Sequence, residues 1–400
     1  MTREDFLKKM VMMGAAAPFM SALLSSCSKR EDEQFFRDIP TGFNGKVLII
    51  GAGAAGLFAG YILRQYQIDF EIIEAAPVWG GRVKAHNDFV DFPIDLGAEW
   101  IHTDPSILAK LLNDDGVNAN IDIVRYRPKE ISVYHGGKLR RRNYFSNFYA
   151  EHKFKSTTWH SYFENYVVPP ISDRLNLGKP VSSIDYSGNN VVVSTTDGTV
   201  FTGSKVLVTV PLTVLQDGDI AFTPALPASK TAALKNVEMP DGIKVFMEFS
   251  ERFYPDLVMP YHLLDGPETG EVLYYDAAFG KDATRNVLAL FTVGDPATQY
   301  ASIASDAELM DYMLNELDEI FNGKARQTYV QHSIQNWSKE PYIRGSYSHY
   351  GDNRSATMNA IREPINSTVY FAGEAVEDAN QSTVHGAGIS AYNALRDLLA

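Results

Sequence analysis

Residues 46–74 read KVLIIGAGAAGLFAGYILRQYQIDFEIIE, and no other stretch restricts the fold of this chain as strongly. An apolar run, three glycines, an apolar stretch at helical spacing and a second apolar run ending in an acid predict a strand–turn–helix–strand unit. Gly51-Ala52-Gly53-Ala54-Ala55-Gly56 matches G-x-G-x-x-G. Gly51 allows the tight turn, Gly53 lets backbone approach a pyrophosphate, and Gly56 lets the helix pack close to the strand. Ala52 and Ala55 lie inside the same loop, where the helix N-terminus offers free N–H groups and partial positive charge to phosphates. Glu74 lies 18 residues beyond Gly56. Ending the second strand, it is placed to accept both ribose hydroxyls of an adenosine half and to repel a 2′-phosphate. The loop alone does not separate NAD from FAD.

A chain of 400 residues allows a large core and two or more domains. The net charge of −13 argues against nucleic-acid binding, which needs a basic surface. The basic cluster Lys138, Arg140, Arg141, Arg142 is too short to reverse that and reads as a strand end or turn. The one cysteine, Cys27, excludes a disulfide within the chain and a thiolate metal cluster. The nine histidines form no His-x-x-x-His pair, so no metal site is expected. Charged TREDFLKK precedes MVMMGAAAPFMSALLSSC, an apolar and small-residue run of 18 with the layout of an export signal. Its Leu24-Ser25-Ser26-Cys27 end resembles a bacterial lipobox, and its opening resembles a twin-arginine signal lacking the second arginine. The expectation is an export signal over 1–27 and a tether over 28–45. The product would be a periplasmic or membrane-anchored bacterial lipoprotein, meeting a membrane only through an N-terminal lipid.

Further along, a helix is expected near 105–113 and an amphipathic one at 306–321. Residues 180–210 alternate with period two between Gly/Asn/Asp turns and read as a β meander. IKVFMEF (243–249) reads as an alternating strand, NVLALFTVG (286–294) and TVYFAGE (368–374) as buried ones, and the end of the chain as a helix.

Four more stretches narrow the cofactor. They are Ala75-Ala76-Pro77-Val78-Trp79-Gly80-Gly81-Arg82, Asp95-Leu96-Gly97-Ala98-Glu99-Trp100-Ile101-His102, Thr209-Val210-Pro211-Leu212-Thr213-Val214-Leu215, and Tyr370-Phe371-Ala372-Gly373-Glu374 followed by Thr383-Val384-His385-Gly386-Ala387. In this order they resemble the flavin-containing amine oxidase family of monoamine oxidases, polyamine oxidases and lysine-specific histone demethylases. The resemblance runs from about residue 46 to the C-terminus and is weakest over 103–170, where the chain is shorter than most members. It implies an α/β fold, with a Rossmann-like FAD-binding domain and an interleaved α+β substrate domain built on a mixed sheet flanked by helices. The implied segments are 46–102, 171–215 and 336–400 for the first and 103–170 and 216–335 for the second.

The resemblance also implies positions around FAD. Ala75, Gly80 and Gly81 would lie close to the cofactor, and Arg82 near the pyrophosphate as a charge-assisted donor. Gly97, Ala98, Glu99 and Trp100 would run along the isoalloxazine, with Trp337 packed against it. Val181 and Val210 would meet the adenine end through backbone. Glu374, preceded by Gly373, would sit near the ribityl and phosphate groups. Thr383 and Val384 would open the terminal helix, whose positive end would face the flavin pyrimidine ring. Attachment through cysteine is excluded without any family argument, because the sole thiol lies in the signal; FAD would be held non-covalently.

Lys244 shares a strand face with Phe246 and Glu248, opposite Ile243, Val245 and Met247. Pattern alone leaves a solvent-facing lysine open; the resemblance implies a lysine joined through water to flavin N5. His102 resembles the active-site histidine of animal polyamine oxidases, though Thr103 replaces the glycine usual there. Tyr347 resembles one wall of an aromatic amine cage; Thr383 stands where monoamine oxidases carry the other. The implied activity moves hydride from the carbon beside an amine nitrogen to flavin N5. The imine hydrolyses to an aldehyde or ketone, and oxygen, or another acceptor, takes the electrons. An L-amino acid oxidase stays open, weakened by the absence of an arginine from the stretch 97–102. So do a flavin desaturase or dehydrogenase and a non-catalytic FAD-binding lipoprotein, the last given weight by the short 103–170 region.

Overall fold

Every residue of the first strand, Lys46–Ile50, after its leading lysine is buried, on alternating sides. Val47 and Ile49 enter one core cluster, while Leu48 and Ile50 enter another. A strand apolar on both faces belongs inside a covered parallel sheet. In this computed structural model, which describes residues 39–40, 42–114, 121–142, 151–260, 270–351 and 353–400, it is the central strand of five. The spatial order is Leu175–Asn176, Asp69–Ile73, Lys46–Ile50, Lys205–Val208 and Val369–Phe371, all pairs parallel. The order reverses between the third and fourth segments of chain to enter it, so that Lys46–Ile50 and Lys205–Val208 flank the switch point, the topology that opens a crevice at the strands' carboxyl ends.

The helix Ala54–Gln65 and the closing helix Val384–Leu399 cover one face, sharing a cluster that includes Phe58, Ala391 and Leu395. They lie so close that a Cβ on Gly388 would stand 2.9 Å from a Phe58 ring carbon. Leu212, Met358 and Ile361 help cover the other face.

The meander expected over 180–210 is shorter than its alternation suggested. Val181–Asp185, Val191–Thr195 and Val200–Gly203 do form it, antiparallel, in a four-stranded sheet. Lys205–Val208 leaves it and joins the parallel sheet beside Lys46–Ile50. Its contiguous Val206-Leu207-Val208 is buried on both faces, which a half-exposed hairpin strand does not need.

A seven-stranded mixed sheet forms the second half of the molecule. Its order is Tyr329–Asn336, Gly242–Phe249, Asn286–Gly294, Gly270–Asp276, Leu257–Pro260, Ile131–His135, Lys138–Arg141. The helix Asp306–Phe321 lies against it. Ser305 caps its first turn by accepting from the Glu308 N–H at 3.3 Å, and Asn322 ends it in the left-handed conformation. Ile243, Val245, Met247 and Phe249 pack with this helix, so the opposite face of that strand, with Lys244, Phe246 and Glu248, turns inward to the rest of the molecule. Trp100–Ile101, Glu151–Phe154 and Ile123–Tyr126 form a small antiparallel sheet with Glu151–Phe154 in the middle. The expected signal at 1–27 and residues 28–38 of the tether lie outside the described residues. Among the described residues no helix is long and apolar enough to cross a membrane.

Candidate cofactor and active site

The glycine loop is built as its spacing requires. Gly51 sits at φ +104°, where a side chain is strained. A Cβ on Gly56 would stand 2.0 Å from Gly51 O, so only glycine lets the helix begin this close to the strand. Gly53 is different: a Cβ there meets nothing within 4 Å. The helix following it has no side-chain cap and no acid in its first turn. An open, uncapped helix N-terminus of this kind suits an anion. Glu74 reaches back beneath the loop, accepting from Ala52 N at 2.6 Å and Ala76 N at 2.8 Å. Burial pushes its carboxyl above the usual range, against the pull of those N–H groups and that of Ala75. Gly80 N donates to Ala52 O at 2.8 Å, so the Gly80-Gly81 turn closes against the loop. Val181 follows a segment tied to Glu74, since Lys179 N donates to Glu74 O at 2.8 Å.

Arg82 and Glu374, 292 residues apart, meet at 3.0 Å. Arg82 Nη1 also donates to Ser346 O at 2.7 Å, and Ser348 Oγ donates to Glu374 Oε2 at 2.7 Å. Both Arg82 bonds leave from one nitrogen of its fork. Arg82, Thr209, Val210, Gly373 and Glu374 line a narrow cavity of about 30 Å³. Gly373 has φ +152° and open space where a Cβ would stand. Tyr347 is fixed between Ser346 and Ser348. Burial, then the Glu271 and Glu374 carboxylates, hold its phenol well above the ordinary range, so it stays uncharged.

Gly97 admits no side chain, for a Cβ would lie 1.8 Å from Arg82 O and 3.0 Å from Trp337 Cζ2. Trp337 Nε1 donates to Leu96 O at 3.2 Å, which fixes the indole beside this turn. Lys244 is only 3% exposed, which removes the solvent-facing alternative. Its ammonium donates to Asp95 O at 2.7 Å, Gly97 O at 3.2 Å and Glu99 Oε2 at 2.7 Å. These three acceptors match the three donors of an ammonium, the bond to Gly97 O being the longest. Glu99 therefore turns its carboxylate to lysines. Its other oxygen lies 2.6 Å from Lys153 Nζ, and the Tyr275 hydroxyl donates to Oε2. Burial alone would raise this carboxyl, but Lys153 and then Lys244 hold it well below the carboxylate range. Asp95 is driven the other way, by burial first and the Glu99 charge second.

His102 stands apart from this cluster. Its Nδ1 lies 3.4 Å from Glu151 Oε2, and it is close enough to act electrostatically on His385 in the first turn of the closing helix. Glu151 and Lys153 project from the same face of one short strand, so that strand serves both the His102 and the Glu99 groups. Thr383 caps the closing helix, accepting from Gly386 N at 2.9 Å, and Val384 is buried behind it.

A family model described as flavin containing amine oxidoreductase matches residues 169–399, more than half of the chain. The chain belongs to that family. A second model, an NAD(P)-binding Rossmann-like domain, matches residues 49–114, the glycine-loop unit of this amine oxidoreductase relative. Human lysine-specific histone demethylase 2 is 25% identical over 88% of the chain and 53% of its own length. Maize polyamine oxidase 1 is 29% identical over 57% of the chain and 46% of its own length. The chain thus spans about half the length of these relatives. A putrescine oxidase variant superposes with a TM-score of 0.73 at 15% identity, covering 88% of this chain and 98% of its own. Cyclohexylamine oxidase from Brevibacterium oxydans gives 0.72 at 15%, covering 89% and 99%. At such identities the likeness establishes the fold. Family membership implies a flavin as cofactor, and the open backbone at Gly53 and Gly373, the uncapped helix end and the buried acid at Glu74 suit one.

The sequence alone does not single out Lys153, Tyr275 or Ser348. Lys153 lies in Glu151-His152-Lys153-Phe154, which reads as an ordinary half-exposed strand. Only the arrival of aromatic rings from other elements buries it.

Proposed function

We propose that this chain is an FAD-dependent amine oxidase that holds its cofactor without a covalent bond. The observation that carries the reading is Lys244, a buried ammonium bound to Gly97 O in a turn held by Trp337 and Arg82. A cation fixed there is preorganised to stabilise negative charge developing on a group lying along that turn. FAD, when bound, supplies the two-electron acceptor for the C–H beside an amine nitrogen.

The chain's own residues do the rest. The loop 51–56 and the first helix turn would hold the pyrophosphate, and Glu74 the ribose. Arg82 would offer the free part of its guanidinium to a phosphate oxygen. Tyr347, uncharged, presents an apolar face with a hydroxyl to the amine. His102, oriented by Glu151, would take the proton that a substrate ammonium must lose before its C–H bond breaks. The relatives' names point to putrescine, cyclohexylamine, polyamines and methylated lysine as amines to try. Export through the N-terminal segment is proposed from the sequence alone.

The test supplies FAD-loaded protein with putrescine, spermidine, cyclohexylamine and a set of L-amino acids. Oxygen uptake and hydrogen peroxide are measured. Peroxide formed stoichiometrically with an amine supports the reading. Turnover of amino acids alone would shift it to an L-amino acid oxidase, and turnover of none would remove the oxidase reading.

A further inference from the structure

Lys153 is 1% exposed, and its ammonium has no hydrogen-bond partner of good geometry among the described residues. Among the described residues its one ion pair is with Glu99 Oε1 at 2.6 Å, while Asp276 and Lys281 feel its charge as well. Three rings surround it: Trp100 at 4.5 Å, Tyr275 at 5.0 Å and Tyr126 at 5.1 Å to the centroids. Those rings brace one another, with Trp100 at 4.9 Å from Tyr126 and 5.3 Å from Tyr275. Tyr126 is pinned by donating to Asp256 O at 2.9 Å, and Tyr275 by donating to Glu99. Strand register sets the lysine in place, opposite Trp100 on one side and Val124 on the other.

A buried ammonium with this little hydrogen bonding is costly, and an apolar side chain of the same shape would pack there more cheaply. Its effect is electrostatic. Glu99 is shared, one oxygen to each lysine. Without Lys153, the carboxylate would cancel the charge of Lys244. With Lys153, the carboxylate is already matched, and the positive charge of Lys244 remains available toward the Gly97 turn. Asp95 does not restore the balance, because burial and the Glu99 charge keep it from ionising readily.

Resting on the cofactor reading above, we infer that Lys153 is a positioning residue: caged by Trp100, Tyr126 and Tyr275, it neutralises Glu99 so that Lys244 presents an uncancelled positive charge to the bound flavin. Positive charge beside a flavin favours its anionic reduced form and raises its potential. Removing Lys153 therefore lowers the potential, and removing Glu99 as well restores it.

The experiment measures the midpoint potential of FAD bound to wild type, K153M, K153R and K153M/E99Q, alongside the visible spectrum and melting temperature of each holoprotein. In K153M the reduced-to-oxidised ratio at a fixed poise should fall about tenfold, which is about 30 mV for a two-electron couple. K153R and the double variant should return to within roughly twofold of wild type, since each restores the charge balance. If K153M does not fold, K153Q reads the same quantity, because its amide keeps the contact with Glu99 without the charge. A K153M or K153Q protein that binds FAD at the wild-type potential would overturn the inference, as would a double variant as low as the single. Wild-type protein that takes up no flavin would instead sink the cofactor reading, and this inference with it.

Discussion

Arg82 and Glu374 join the two ends of the folded chain: the guanidinium of one lies 3.0 Å from the carboxylate of the other, across 292 residues of sequence. Glu374 is buried and Arg82 about a quarter exposed at its side chain. Replacing Arg82 with alanine leaves a buried carboxylate with Ser348 as its remaining support, a loss of roughly 2 kcal/mol. Glu374→Gln keeps a hydrogen-bonding group at the same place and should cost only about 1 kcal/mol. Urea unfolding of the two variants checks the order; equal losses would show that the ion pair contributes nothing beyond its hydrogen bonds.

Two glycines of one loop should separate folding from cofactor binding. Gly56→Ala drives a methyl to within 2.0 Å of Gly51 O and should unfold the nucleotide half or displace its helix. Gly53→Ala meets nothing within 4 Å and sits at φ −77°, so the unliganded chain should keep its stability. The same methyl enters the space proposed for the pyrophosphate, and FAD affinity should fall about tenfold or more, or roughly 1.4 kcal/mol. Melting temperature and FAD titration of both variants decide this. Unchanged affinity in Gly53→Ala would place the cofactor elsewhere.

His385 makes the fold sensitive to acid. Burial first, and the neighbouring His102 second, push its imidazole down to about 3. An unfolded histidine takes up its proton near pH 6.5. Between these values the unfolded chain binds the extra proton, so stability falls as pH falls from about 6.5 toward 3. At pH 5 this residue should remove roughly 2 kcal/mol relative to pH 7. His385→Asn should lose less than wild type over the same interval. Parallel losses in urea unfolding at pH 5 and pH 7 would assign the acid sensitivity to other groups.

Local constraint decided what could be read before the structure. Glu74 was legible because one turn, one helix and one strand fix its distance from Gly51. The helix Asp306–Phe321 was legible because its apolar spacing and the Ser305 cap agree. Lys205–Val208 is ambiguous in sequence because four apolar-rich residues fit a hairpin strand as well as a covered parallel one, and only the pairing with Lys46–Ile50 chooses. Alternation leaves the burial of Lys244 undecided, and the folded sheet settles it. Its full set of acceptors did not follow, since Asp95 O, Gly97 O and Glu99 come from a turn whose path no periodicity describes. Lys153 was invisible for the same reason. Its cage is assembled from Trp100, Tyr126 and Tyr275, which lie on three strands that meet only in the folded molecule.

The most direct measurement of the central claim is anaerobic. Protein loaded with FAD and freed of excess cofactor is mixed with putrescine, spermidine or cyclohexylamine in the absence of oxygen, and its visible absorbance is followed. The account predicts that the yellow bands bleach with at least one amine, return when air is admitted, and that acid precipitation then releases the flavin into solution. Bands that persist with every amine, or protein that retains no flavin at all, would contradict it.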